Sequence, residues 1–147
     1  MFPATKQHTD AALVKALRAN KRRVTTQRLM IHRALRGLNR HASAEEVLET
    51  VGDRLPSVSL PTVYSTLELL DELGLARRVG PAGGRILYDP RLDEHHHAVC
   101  IECGRVDDLD AHVDAEPAVA AARRRGYTRA RAGIVVTGVC EECAAAA

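Results

Sequence analysis

Four cysteines arranged as two CxxC pairs constrain this chain more than any other feature: Cys100 with Cys103, and Cys140 with Cys143. No cysteine is left over. Each pair sets two sulfurs on one short knuckle, and two knuckles can bring four thiolates onto a tetrahedral, closed-shell ion, as in structural Zn²⁺ sites. Two disulfides are the other use of the same residues. The 36 residues between the pairs (104–139) exceed the usual zinc-ribbon spacing, so a small subdomain has to fold between the knuckles. Composition adds to the need for a staple. One Phe, three Tyr and no Trp leave cores of Leu, Val and Ala, and a small lobe so built gains from a metal cross-link.

The chain has 147 residues, enough for one large domain or two small ones, and its charge is unevenly divided. Residues 1–80 hold 13 Lys/Arg against 8 Asp/Glu, and residues 81–147 hold 8 against 11. A basic front half and an acidic, Cys/His-bearing back half fit one lobe for phosphates and one for metal. No segment approaches the length of a membrane span, and the N-terminal run lacks the apolar core of a signal peptide. The expected setting is cytoplasmic, a reducing compartment in which paired thiols hold metal.

Apolar spacing predicts a frayed stretch over 1–10, then a helix carrying Leu13, Val14 and Leu17. A second helix is capped by Thr25 or Thr26, carries Leu29, Ile31 and Leu35, and ends at Gly37. Ser43 and Glu46 form a capping box for a third helix that buries Val47, Leu48 and Val51. Ser59 caps a fourth, with Pro61 in its first turn and Gly74 at its end. Leu75–Val79 and Arg85–Tyr88, joined through Gly80-Pro81-Ala82-Gly83-Gly84, read as a β-hairpin. Helices in close succession followed by a hairpin match a winged helix-turn-helix, in which the helix after the turn enters the major groove. Thr62, Tyr64, Ser65 and Thr66 then face bases or phosphates, and Arg77, Arg78 and Arg85 charge the wing. The domain expectation is a DNA-binding domain over 1–88, a hinge over 89–94 and a dimerisation and metal-sensing domain over 95–147. In the last, His97–Ile101 and Arg105–Leu109 are short strands, Glu116–Arg125 is a helix closed by Gly126, and Tyr127–Val139 is a strand. The fold class is α+β. An α+β lobe with open strand edges commonly dimerises, and a homodimer suits a palindromic operator in double-stranded DNA.

These residues resemble the ferric uptake regulator (Fur) superfamily of metal-responsive repressors over nearly the whole chain. The resemblance is carried by Arg23-Val24-Thr25-Thr26-Gln27-Arg28, by Ser59-Leu60-Pro61-Thr62-Val63-Tyr64-Ser65-Thr66-Leu67 leading to Gly74-Leu75, by the His-rich segment and by both CxxC pairs. It adds Arg23, Thr25, Gln27, Arg28 and Ser59 to the DNA-binding candidates Thr62, Tyr64, Ser65 and Arg77. It also implies a regulatory site drawn from His41, Asp89, His95, His97 and Asp108. Three imidazoles and two carboxylates suit Fe²⁺ or Mn²⁺ better than the all-sulfur site, which suits zinc. Aspartate at position 108 is the residue usual in the peroxide-sensing PerR branch, where iron-sensing members carry glutamate. On that branch Fe²⁺ reduces peroxide, oxygen is added to ligand histidines (here His41 and His95), and DNA is released; Mn²⁺ represses without that sensitivity. The alternative is an iron- or manganese-responsive uptake repressor without peroxide sensing.

Two positions depart from the family pattern. Ser65 stands where Arg is common, and Ala132 stands where an auxiliary site takes a histidine, so a third metal is not expected. His96 is expected to point away from its neighbours and to be exposed, and His8, His32 and His112 to lie on the surface. The Arg123-Arg124-Arg125 run reads as a solvated helix end at the favourable pole of the helix dipole. A catalytic zinc on His95, His97 and a carboxylate is the enzyme reading, and it leaves the helix-turn-helix unexplained.

Overall fold

The computed structural model describes residues 9–80 and 85–147, so His8 and the expected hairpin turn at 81–84 lie outside the described residues. The chain divides into two compact units, one ending at Asp93 and the other starting at Glu94.

Four capped helices build the first unit. They are α1 (Asp10–Ala19), α2 (Thr26–Leu38), α3 (Ala44–Gly52) and α4 (Leu60–Glu72). Each starts where a hydroxyl in extended backbone accepts a first-turn N–H: Thr9 from Ala12, Thr25 from Arg28, Ser43 from Glu46 and Ser59 from Thr62. The Ser43–Glu46 capping box is complete in both directions. Leu13, Leu17, Ile31, Leu35, Val47, Val63 and Leu67 are wholly buried in one core, each stabilising the fold by about 1.5–3 kcal/mol relative to exposure. Asp10 ties α1 to α2, accepting from Arg33 Nε at 2.7 Å and Arg36 Nη2 at 2.6 Å. After α4 the chain turns at Gly74 (φ +72°), a left-handed conformation that a side chain would strain. The wing follows, an antiparallel pair of β1 (Arg77–Val79) and β2 (Leu87–Asp89). The result is a winged helix-turn-helix with α4 as its second helix.

Several expectations are corrected here. Gly37 lies inside α2, and the helix ends at Asn39 in the left-handed region (φ +50°), which asparagine tolerates. Leu48 is only half-buried. His32 is fully buried on the core side of α2, and Thr66 is 3% exposed, so it packs instead of facing a groove. Asp89 is the last residue of β2, the second strand of the wing.

In the second unit, β3 (His96–Cys100) is the central strand, antiparallel to β4 (Val106–Leu109) and parallel to β5 (Val135–Gly138). Between β4 and β5 comes α5 (Glu116–Arg124), closed by Gly126 (φ +88°), and after β5 comes a short α6 (Glu141–Ala146). The expected strand over Tyr127–Val139 shrinks to the four residues of β5, and Arg129, with a positive φ of 54°, interrupts the extended run near its start. The arginines at 123–125 are exposed. The apolar core is slight: Val99, Cys100 and Val119 are its buried hydrophobic residues. Edge strand β5 is exposed throughout. No described helix is long and apolar enough to cross a membrane.

Candidate metal centres and nucleic-acid surface

The first centre is the four-cysteine cluster of the second unit. Cys100 ends β3 and Cys103 lies in the turn after it, while Cys140 is the N-cap of α6 and Cys143 sits within that helix. Pairing of β3 with β5 brings the knuckles together, since Cys100 is in register with Gly138, two residues before Cys140. All four thiols are free. The sulfurs lie within 4.8 Å of one another, with Cys103 and Cys140 3.8 Å apart. A tetrahedral ion bound at about 2.3 Å holds its sulfurs about 3.8 Å apart, so the cluster fits zinc. The Cys140 N–H donates to Cys100 Sγ at 3.3 Å. Backbone N–H donation from Cys103 and Cys140 pulls the Cys100 thiol down to about 6. Hydrogen bonding with the Cys140 and Cys103 sulfurs holds Cys143 far above an ordinary thiol. One proton leaves such a cluster readily and the last does not, so a dication is what lets all four sulfurs carry charge.

The strand register of the second unit builds another ligand group. His97 pairs with Asp108 across β3 and β4, and side chains alternate along a strand, so His95, His97 and Asp108 share one face. Asp108 Oδ1 is 3.4 Å from His95 Nε2 and 3.8 Å from His97 Nε2, and the two imidazoles meet edge to face at 4.6 Å. In the first unit, an antiparallel bridge between Ala42 and Tyr88 sets their neighbours His41 and Asp89 side by side, with His41 Nε2 3.2 Å from Asp89 Oδ2. The Arg91 N–H donates to the other Asp89 oxygen at 2.8 Å, which orients the carboxylate. Two ligands about 2.1 Å from one ion and at right angles stand about 3.0 Å apart. Each group therefore has the spacing of a partial coordination sphere of nitrogen and oxygen.

His96 corrects the expectation of exposure. It is 8% exposed, and its Nδ1 accepts the Ile134 N–H at 3.1 Å. With that lone pair occupied, the neutral ring carries its proton on Nε2, which makes it a donor and not a metal ligand. Exposed His112 and Ala132 line the same cavity, of about 350 Å³.

The expected DNA-facing residues are placed as follows. Arg23 is exposed before α2, Thr25 caps that helix, and Gln27 and Arg28 are half-buried in its first turn, with Arg28 donating to the Arg23 carbonyl. Ser59 and Thr62 are joined at the start of α4, their hydroxyls 3.0 Å apart. Ser65 is exposed and donates to the Thr62 carbonyl, and Tyr64 donates to Glu45 of α3. Arg77 is half-buried and its guanidinium donates to the Leu92 carbonyl, while Arg78 beside it is exposed. Sequence reasoning missed Glu45. Its partner lies 19 positions away, a separation that leaves no signal in the chain.

Comparison with known proteins agrees with the resemblance. The ferric uptake regulator family pattern matches residues 19–136. Ferric uptake regulation protein 2 of Mycolicibacterium fortuitum is 33% identical over 141 residues, covering 94% of this chain and 97% of the relative. The peroxide operon regulator of Bacillus subtilis is 27% identical over 136 residues, covering 92% and 94%. The fold is that of the Helicobacter pylori ferric uptake regulator, matched with a TM-score of 0.74 at 18% identity over 95% of this chain and 97% of that one.

Proposed function

This chain belongs to the ferric uptake regulator family, and from that premise we propose that it is a peroxide-responsive repressor, cytoplasmic and homodimeric, that binds palindromic operator DNA. The family consists of metal-responsive transcription regulators, not enzymes. In this reading Cys100, Cys103, Cys140 and Cys143 hold zinc, which staples a unit with a small apolar core. His41 and Asp89 of the first unit join His95, His97 and Asp108 of the second on one Fe²⁺ or Mn²⁺. Two carboxylates offset the charge of the dication and three imidazoles supply borderline ligands. Because the ligands come from both units, metal favours whichever arrangement of the units lets all five bind, and DNA binding follows from that difference in affinity. The units are joined through a hinge over 89–94 in this reading, so the wing strand that ends at Asp89 leads straight into it.

The DNA surface is α4, with Ser59, Thr62, Tyr64 and Ser65, flanked by Arg23, Thr25, Gln27 and Arg28. The exposed apolar edge strand β5 supports a homodimer, since an open edge invites pairing with another copy.

The observation that carries peroxide sensing is the short carboxylate of Asp108 beside His95 and His97. Ferrous iron held by these residues would supply the electron that cleaves peroxide, and the peroxide fragment, not the metal, would supply the oxygen added to an imidazole. His41 and His95 are the rings that take up oxygen, and an oxidised ring ligates poorly. The second reading, an iron- or manganese-responsive uptake repressor, is favoured by the M. fortuitum relative, named for ferric uptake and more similar than the peroxide operon regulator. The test of the common part is DNA retention against Mn²⁺ concentration for wild type and Asp89→Ala. The variant should stay dimeric and zinc-loaded yet lose the metal dependence; metal-dependent binding unchanged in the variant would remove Asp89 from the site.

A further inference from the structure

Glu45 has no part in the metal or DNA contacts assigned above, yet it is bonded to one of the residues assigned to the DNA surface. It lies in the first turn of α3, and its Oε1 accepts the Tyr64 hydroxyl at 3.1 Å. The carboxyl is held below the ordinary glutamate range by its own backbone N–H, and further by the hydroxyls of Tyr64 and Ser43. It is therefore ionised at neutral pH and can only accept, so the proton in the contact belongs to Tyr64. The wing reaches the same turn. Arg85 Nη2 donates to Ser43 Oγ at 2.9 Å and lies 4.0 Å from Glu46 Oε2.

A phenol has one proton to give. With it committed to Glu45, the Tyr64 oxygen can only accept, and what remains for DNA is an acceptor and an aromatic edge. Phosphate oxygens are acceptors as well, and the carboxylate behind the phenol repels them. The major groove offers the matching chemistry: the exocyclic amines of adenine and cytosine donate, and the thymine methyl packs on a ring.

We propose that Glu45 is a specificity-determining positioning residue: it fixes the Tyr64 hydroxyl as an acceptor and repels phosphate, reserving Tyr64 for base edges. The proposal rests on the reading that α4 enters DNA.

The test uses the full-length, zinc-loaded protein with Mn²⁺, a duplex that the wild type selects from a randomised pool, and a scrambled duplex of the same composition. Both affinities are measured across a salt series. Glu45→Gln removes the charge and loosens the hold on the Tyr64 proton, because a neutral amide oxygen accepts less strongly than a carboxylate. It should bind the scrambled duplex more tightly, and the selected-to-scrambled ratio should fall about tenfold, the worth of a hydrogen bond to a charged group. The salt dependence on scrambled DNA should steepen by about one unit of slope. In a Tyr64→Phe background the same Glu45→Gln change should leave the ratio alone, because no hydroxyl is left to orient. A fall of equal size in that background would mean that Glu45 acts by charge alone and would overturn the proposal, as would an unchanged ratio for Glu45→Gln by itself. Should Glu45→Gln fold poorly, Glu45→Asp keeps the charge and the helix start but draws the carboxylate back from Tyr64. It must then lower the ratio without steepening the slope, and a retained ratio would count against the proposal. A wild type that selects no duplex refutes the DNA-binding reading itself, and this is seen before any variant is made.

Discussion

Asp108 stands directly across the β3–β4 pair from His97, and its Oδ1 lies between the Nε2 atoms of His97 at 3.8 Å and His95 at 3.4 Å. The backbone ladder fixes that relationship, so the three side chains keep one face of the sheet whether or not an ion is present. A carboxylate one methylene longer would reach the same place from a different angle. The difference between aspartate and glutamate here is therefore one of ligand geometry, while charge and strand register stay constant.

Asp108→Glu should leave metal-dependent DNA binding in place and raise the peroxide dose needed for release. Asp108→Ala should lose at least the roughly 10–100-fold in metal affinity that even an outer partner of a ligand is worth. Titrating Mn²⁺ and then peroxide against DNA retention separates the two effects. Equal peroxide sensitivity in Asp108→Glu and wild type would detach sensing from this side chain.

Cys100→Ser should lose zinc and unfold the second unit. Zinc binding in small structural sites is worth about 10–16 kcal/mol, more than the apolar core of Val99, Cys100 and Val119 supplies. Zinc content by atomic absorption and the near-ultraviolet melting curve read the outcome. A stable, zinc-free dimer would contradict the structural-zinc assignment.

The Asp10 clasp gives the first unit a pH dependence of known sign. Hydrogen bonding from Arg33, with the charges of Arg33 and Arg36, holds the Asp10 carboxyl below its ordinary value of 3.8. A carboxyl depressed in the folded state stabilises above its unfolded value and loses that contribution as pH falls through the folded one. The pair is partly exposed, so Asp10→Asn should cost only about 1 kcal/mol at neutral pH. The difference from wild type should vanish well below pH 3.8. Chemical denaturation of both proteins at neutral and acid pH measures it, and a gap that persists in acid would show that the clasp is not electrostatic.

Metal content should saturate at two ions per chain. His96 is committed as an Nε2–H donor by the Ile134 amide, and Ala132 offers no ligand in the same cavity. Mass spectrometry under non-denaturing conditions with excess Zn²⁺ and Mn²⁺ counts the ions. A third, tightly held ion displaced by His96→Ala would overturn the tautomer argument.

Helix starts were legible because they are local. A hydroxyl three residues before its N–H partner is visible in the chain, and Thr25, Ser43 and Ser59 cap as their spacing predicts. Burial set by a neighbouring element was not. His32 looks like a surface histidine until α1 and α2 pack, and Thr66 looks like a base reader until its helix turns that face inward. The second unit was least legible, since Tyr127–Val139 has enough valine to read as a strand, yet only β5 forms and the left-handed Arg129 interrupts the run near its start. Of the site residues, the cysteines announce themselves by spacing. The five nitrogen and oxygen ligands are scattered over 68 positions, from His41 to Asp108. Only a resemblance selects those five from the other histidines and acids.

The most direct test is anaerobic DNA binding by the zinc-loaded protein with Fe²⁺ and with Mn²⁺, before and after dilute peroxide, followed by peptide mass analysis of the same samples. The account predicts binding with either metal, release by peroxide with Fe²⁺ alone, and an added oxygen atom on His41 or His95. Iron-loaded protein that stays on DNA after peroxide, with both histidines unmodified, would contradict it and leave an uptake regulator.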